Sequence, residues 1–233
     1  MPTTVTWLGN ASLRIDSVND TRIYVDPWLS GPTTPDHERL PTRADLIVLT
    51  HGHIDHVGDA VDLSTTHRAH IIAQTELTGW LSRNGAYLID PYGMNKGGTV
   101  SYRGIDFTMV YASHSSSSPD GDYTGEAAGF VITFEDGKRV YVAGDTDVFL
   151  DMQLIGELYA PDVAVLPIGD RMTMGPRQAA KAIELLGVKR VLPYHWDAAG
   201  DMLPGRPEHL VEILGAHSDV EIIQVEPGKS FAL

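Results

Sequence analysis

The first quarter of the chain alternates short apolar runs with turn residues. Residues 5–8, 12–15 and 21–26 carry β-branched and aromatic side chains, and Gly9-Asn10 and Asn19-Asp20 separate them, which predicts a β-meander. Stretch 27–41 holds four prolines and one glycine, so it reads as a loop and a candidate lid. From residue 45 onward the period changes. Strand-like runs at 45–50 and 68–73 alternate with helical patterns at 59–67 and 75–83, the second starting with Thr75 as N-cap and stopping at Asn84-Gly85.

The second half repeats the order. Residues 99–103, 106–112, 128–135 and 139–143 predict strands, the last two joined through a turn at Asp136-Gly137, and a serine- and glycine-rich loop at 115–125 interrupts them. A helix at 147–159 and a strand at 162–167 follow. Met174-Gly175-Pro176 opens a helix whose apolar stripe is Ala179, Ala182, Ile183 and Leu186, and Gly187 closes it. A strand at 188–194, a helix at 207–216 and a strand at 220–225 complete the pattern. Meanders that pass into strand–helix alternation predict an α/β (α+β) layered fold, and no linker-like shift divides residues 1–233, so one domain is expected.

Composition narrows the function. At 233 residues the chain is long enough for a full core, and 17 basic against 31 acidic residues give a formal charge of −14. Such a surface repels nucleic acid and anionic membranes, so the expected partner is a small molecule. With no cysteine, thiolate metal sites and disulfides are excluded, and any metal must rest on histidine and carboxylate. No apolar run is long enough to span a bilayer and the N-terminus has no signal pattern, so a soluble, cytoplasmic protein is expected.

The chemistry concentrates after the apolar run that ends at Thr50. His51-Gly52-His53-Ile54-Asp55-His56 presents three imidazoles and a carboxylate within six residues. His51 and His53, two apart, suit one ion; Asp55 and His56 face the other side of the loop, where a second ion fits. Gly52 and Gly58 let the backbone bend. If a strand end carries the cluster, its partners should follow other strands on the same rim. His114, Asp145, His195, Asp26 and Asp170 each do so, although any one aspartate there fits a turn or helix cap as well.

The order His51-Gly-His53-Ile-Asp55-His56, then His114, Asp145 and His195, resembles the metallo-β-lactamase fold superfamily over nearly the whole chain. Asp26-Pro27-Trp28-Leu29-Ser30-Gly31, His114-Ser115-Ser116-Ser117, Ala143-Gly144-Asp145-Thr146 and Pro167-Ile168-Gly169-Asp170 narrow the likeness to a group of uncharacterised metal-dependent hydrolases similar to the ascorbate-6-phosphate lactonases. The resemblance implies a four-layer αβ/βα sandwich with a two-metal site on one rim. His51, His53 and His114 would bind the first ion, and Asp55, His56 and His195 the second. Asp145 would bridge them, and Asp26 would orient a ligating imidazole. Zinc is favoured, with manganese or iron(II) as rivals.

Two such ions, typically about 3.5–4 Å apart, bring the pKa of a bridging water toward roughly 7, and the hydroxide attacks the substrate. The implied reaction is hydrolysis of a small ester, a lactone above others, with Asp55 as general acid/base. A phosphodiesterase or nuclease on the same site is the alternative, and a metal-binding sensor without turnover is a third reading. Relatives in the lactonase group imply a homo-oligomer. Around the centre, Asp170, Arg171, Trp196 and His37 are candidate substrate contacts, and the serines after His114 read as a flexible hydroxyl-bearing rim. His67, His70, His209 and His217 receive no chemical role.

Overall fold

The structure, a computed structural model, describes residues 2–90, 93–196 and 202–233. The N-terminal meander forms as strands β1 (Thr4–Gly9), β2 (Ser12–Asp16) and β3 (Arg22–Val25). Two crossovers then add β4 (Leu46–Val48) and β5 (His70–Ile72) parallel to β3. One-turn helix α1 (Ile54–Val57) and helix α2 (Ala60–His67) lie between β4 and β5, and α3 (Thr75–Arg83) follows. The second half builds the antiparallel run β6 (Thr99–Tyr102), β7 (Ile105–Tyr111), β8 (Ala128–Thr133) and β9 (Arg139–Val142). Helices α4 (Met152–Tyr159), α5 (Pro176–Leu186) and α6 (Pro207–Leu214) carry the chain between β9, β10 (Val163–Pro167), β11 (Arg190–Tyr194) and β12 (Glu221–Ile222), which are parallel neighbours. Strand β13 (Lys229–Ala232) returns to β1.

The first sheet has the order β13-β1-β2-β3-β4-β5 and the second β12-β11-β10-β9-β8-β7-β6. Between them lie Leu13, Ile23, Val25 and Val48 from one sheet and Phe107, Phe130, Val142 and Val165 from the other, all buried. Residues of the opposite strand faces, such as Tyr24, Ile47 and Leu49, pack under α2 and α3 with Leu63, Leu77 and Trp80. Tyr141, Ala164 and Leu166 pack under α4, α5 and α6 with Ile155, Ile183 and Leu210. The result is helix, sheet, sheet, helix, the expected αβ/βα sandwich. Period-2 alternation puts one strand face in each layer, which is why the strands read as almost continuously apolar.

Strand direction places the site. Because β1 is antiparallel to β2 and β2 to β3, β1 runs the same way as β3, β4 and β5. By the same parity β7 runs with β9, β10 and β11. In each sheet these co-directional strands release their following loops at one edge.

The helix α5 forms as its residues dictate. Pro176 fits the first turn, Ala179, Ala182, Ile183 and Leu186 are buried, and Gly187 takes φ 64° at the C-cap. Gly156 of α4 is required where the two helices meet, since a Cβ there would lie 2.3 Å from the Leu186 carbonyl oxygen. Elsewhere the elements differ from expectation at their ends. The helix expected from residue 147 starts only at Met152, because Asp147 Oδ1 accepts the Val148 N–H and Asp147 donates its own to Ser113 O. Gln74, not Thr75, is the N-cap of α3, and the Thr75 hydroxyl turns to Met94 O. β12 keeps two residues of the expected six. β13 was not expected at all: Lys-Ser-Phe-Ala is short and mostly exposed, and its pairing with β1 supplies the order its composition lacks.

At the opposite end of β4 from the histidines, Asp45 ties the sheets together. Its carboxylate accepts the Arg22 N–H at 2.8 Å, Arg43 Nε at 2.8 Å and, from the turn between β6 and β7, Arg103 Nη1 at 3.0 Å. Burial works against the Asp45 charge, but Arg43 and the Arg22 N–H outweigh it and hold the carboxyl below its ordinary range. A group so depressed stabilises the fold above its unfolded pKa of about 3.9, and loses that contribution as pH falls through the folded value. Asp45→Ala is expected to cost about 1–3 kcal/mol at neutral pH in urea unfolding, and much less at pH 3.

Candidate metal centre

Asp26 is the fully buried hub of the site. It follows β3 in a left-handed conformation, φ 46°, and its Oδ1 accepts the Thr50 N–H at 2.8 Å. Its Oδ2 accepts the Thr50 hydroxyl at 2.6 Å and His56 Nδ1–H at 2.8 Å. Since a carboxylate only accepts, the Thr50 hydrogen is committed, and Thr50 Oγ1 must accept from His51 Nδ1, 3.0 Å away. One carboxylate therefore sets the tautomer of both imidazoles and aims both Nε2 lone pairs outward.

Those nitrogens meet the side chains of three other segments, those that follow β7, β9 and β11. His51, His53 and His114 form one group of three donors, and Asp55, His56 and His195 a second, with the donor atoms in each within 4.8 Å of one another. Asp145 lies between: its Oδ2 is 3.3 Å from His56 Nε2 and 3.6 Å from His114 Nε2, and its Oδ1 is 3.3 Å from His195 Nε2. His195 Nε2 is also 3.4 Å from Asp55 Oδ2. Despite these distances, His56 Nε2, His195 Nε2 and Asp145 Oδ1 are buried with no hydrogen bond of acceptable geometry. Buried imidazole nitrogens and a carboxylate oxygen that converge without hydrogen-bond partners are the signature of a cation site, so the residues fit a bound metal.

The electrostatics agree. Burial lowers the pKa of His51 strongly, with His56 adding to the effect, and burial also lowers His53 and His114. These three rings are neutral donors at pH 7. Around the carboxylates the balance reverses. Burial opposes a charge on His195, but Asp145 and Asp55 outweigh it and lift the ring to about 9. Burial would likewise raise Asp145, yet His195 and His56 hold it well below the carboxylate range. Protons on His56 and His195 thus balance the buried carboxylates, and a divalent ion would displace them.

The centre opens into a cavity of about 290 Å³. His53, Asp55, His114, Asp145 and His195 form its floor, with Asn10 beside them. Trp28, Ile54, Met172, Met202 and Leu203 form its mouth. A larger groove of about 570 Å³ runs between α4 and α5, but its Glu157 pairs with Gln153 and its Glu184 with Lys181, and neither joins a cluster of metal-ligating side chains among the described residues, so size does not choose the site.

Residues 21–196 match the family described as the Beta-lactamase superfamily domain. The chain belongs to the metallo-β-lactamase superfamily. It is 40% identical over 235 residues to the UPF0173 metal-dependent hydrolase of Koribacter versatilis, covering 98% of this chain and 97% of that one. Among solved structures it is similar to Igni18, a metallo hydrolase from Ignicoccus hospitalis, with a TM-score of 0.87, 32% identity and coverage of 100% and 99%. The metallo-beta-lactamase fold protein YhfI from Bacillus subtilis, at 15% identity, TM-score 0.70 and coverage of 99% and 98%, shares the fold. These relatives place the chain among the metal-dependent hydrolases of the superfamily.

Four expected substrate contacts of this superfamily member lie elsewhere. His37 is exposed at 71%, sits 3.8 Å from Glu38, and does not reach the cavity. Trp196 packs against Trp7 with ring centroids 5.5 Å apart and planes tilted by 31°, and lines a separate cleft with Pro207 and Ile223. Asp170 and Arg171 are exposed, and only the next residue, Met172, reaches the mouth. Nor is loop 27–41 a free lid. The Asp59 N–H donates to Pro27 O at 2.8 Å, and Asp59 Oδ2 accepts the Ser30 N–H at 2.8 Å, which fastens the loop to the start of α2. The serine run is also fastened: Ser116 Oγ lies 2.7 Å from Thr124 Oγ1 and accepts the Gly52 N–H at 3.1 Å. Gly52 is needed for that closeness, because a Cβ there would lie 2.2 Å from Thr124 Oγ1.

Asn10 was missed. Its Nδ2 donates to Asp55 Oδ2 at 3.1 Å, while its carbonyl accepts the His195 N–H at 3.0 Å and Trp7 Nε1–H at 2.9 Å. His195 itself is left-handed, φ 53°, so this clamp holds a strained residue in place. The signal was present, since Asn10 follows β1 at the same edge, but Gly9-Asn10 was read as a turn alone.

Proposed function

We propose that this chain is a dinuclear metal-dependent hydrolase of small esters, with a lactone as the favoured substrate. The observation that carries the reading is the pair of three-donor groups, with Asp145 between them, at the floor of one cavity. His51, His53 and His114 would hold one ion, Asp55, His56 and His195 the other, and Asp145 would touch both. Imidazole-rich donors favour zinc, with manganese or iron(II) as rivals. When bound, such ions supply Lewis acidity that makes water nucleophilic at neutral pH and polarises the electrophile.

The chain's own groups do the rest. Burial would raise the Asp55 carboxyl, but His56 and His195 overcome it and keep it ionised at neutral pH. Asp55 Oδ2, steadied by Asn10, faces the cavity, where it takes a proton from water and passes it to the leaving oxygen. Asp26 keeps both rings aimed throughout.

The test is elemental analysis followed by a hydrolysis screen over lactones, phosphodiesters and thioesters. The expected outcome is two divalent ions per chain and lactone opening that a chelator abolishes and zinc or manganese restores. Cleavage of phosphodiesters alone would move the assignment to the alternative chemistry, and retained metal without any turnover would leave a sensor.

A homo-oligomer belongs to the same proposal. Leu154 and Leu158 lie exposed four residues apart along α4, with exposed Leu150 just ahead of the helix, a stripe that a second copy would cover. Light scattering of the purified chain is expected to give a multiple of 25.4 kDa. No helix among the described residues is long and apolar enough to cross a membrane. A cytoplasmic location is part of the reading, and cell fractionation checks it.

A further inference from the structure

We propose that the cavity mouth selects substrates whose group beside the scissile bond is uncharged and apolar, with Met172 as a specificity-determining side chain. The word substrate rests on the hydrolase reading; the binding preference does not.

Three large apolar side chains stand in the open around a polar centre: Ile54 is 63% exposed, Met172 53% and Met202 47%. They come from three separate segments, namely the start of α1, the turn after β10 and the stretch ahead of α6, and all face the same cavity. Single exposed apolar residues need no explanation, but a contiguous ring of them marks a surface that a ligand covers. Trp28 and the buried Leu203 complete the ring.

What is missing from the mouth matters as much. Among the described residues that line the cavity there is no lysine or arginine. A phosphate or carboxylate on the distal part of a substrate would therefore meet no lysine or arginine among the described lining residues, in a chain of formal charge −14. Recognition of such groups normally uses arginine or lysine.

The placement of Met172 is built into the backbone. Asp170 and Arg171 are consecutive left-handed residues, φ 63° and 45°, a conformation that side-chain-bearing residues adopt at a cost. Asp170 lessens the cost through Oδ1, which accepts the Arg171 N–H at 3.0 Å. The turn is pinned by Asp170 N–H to Met174 O at 3.2 Å and Met174 N–H to Thr146 O at 2.9 Å, next to Asp145. This geometry leaves the charged pair exposed and brings the thioether to the cavity, so the two residues expected to touch substrate instead present the one that does. At about 290 Å³ the space suits a small molecule, near the lower end of the roughly 300–1,000 Å³ usual for ligand sites.

The test is calorimetric titration of the zinc-loaded chain with acetate, butanoate, hexanoate and adipate, which needs no turnover. Hexanoate is expected to bind at least about tenfold more tightly than acetate, with up to about fourfold for each added methylene that is fully buried, and more tightly than the equally long dianion adipate. Met172→Ala is expected to weaken hexanoate about threefold and leave acetate unmoved. Met172→Lys, with metal content and thermal unfolding checked, is expected to reverse the order of hexanoate and adipate. Equal binding of acetate and hexanoate, adipate as tight as hexanoate, or a hexanoate-to-adipate ratio unmoved by Met172→Lys would each overturn the inference. A chain-length preference without hydrolysis of any ester would support it and remove the hydrolase reading.

Discussion

On the proposed dinuclear reading, Asp145→Ala is expected to lower turnover by on the order of a thousandfold or more and to reduce bound metal. The carboxylate stands where His56, His114 and His195 converge, with oxygens 3.3 to 3.6 Å from their Nε2 atoms. Its removal takes away the main negative charge shared by the two donor groups. It also changes the protonation of the empty site. His56 and His195 would lose the largest of the attractions that raise them, while Asp26 and Asp55 still face His56 and Asp55 still faces His195, so both pKa values should fall. The variant should fold, because any charge left on these rings keeps a carboxylate partner. Metal content by plasma emission spectrometry and circular dichroism separate these effects. A folded variant that keeps both ions and full turnover would exclude Asp145 from the junction.

Asp26→Asn should act at one remove. The native carboxylate accepts three hydrogens, from Thr50 N, Thr50 Oγ1 and His56 Nδ1. An asparagine of the same size offers one accepting oxygen and two hydrogens that need acceptors, so at least one partner is lost. If His56 loses its acceptor, the ring is free to carry its hydrogen on Nε2, toward the site, and can no longer donate a lone pair there. Thr50 would release the hydrogen that orients His51 through the same failure. Metal affinity is expected to fall by about 10–100-fold, read by competition with a chelating dye. At saturating metal most of the turnover should return, which distinguishes an orienting group from one that takes part in the reaction. Failure to recover at any metal concentration would give Asp26 a different role.

Much of this arrangement was legible because strand ends are visible in a sequence. Val-Leu-Thr before His51, Val-Tyr-Ala-Ser before His114 and Val-Ala-Gly before Asp145 are apolar runs broken by a donor, and strand parity then brings the breaks to one edge. Asp26 followed the same rule. Asn10 obeyed it too, but Gly-Asn is also an ordinary turn signal, and local chemistry hid its bond to Asp55. The substrate contacts failed for another reason. Charge and aromaticity drew attention to Arg171 and Trp196, yet whether a side chain faces a cavity depends on loop dihedrals. Two left-handed residues move the cavity-facing position one place along, to Met172. Lys229–Ala232 could not be read either, since its pairing with β1 joins residues more than 220 positions apart.

Asp45 and His51 sit six positions apart, at opposite ends of one buried strand. The Asp45 tie between the sheets is therefore physically detached from the groups that would hold metal and substrate. An engineer can harden one end and retune the other, and changes made at the two ends should combine without interfering.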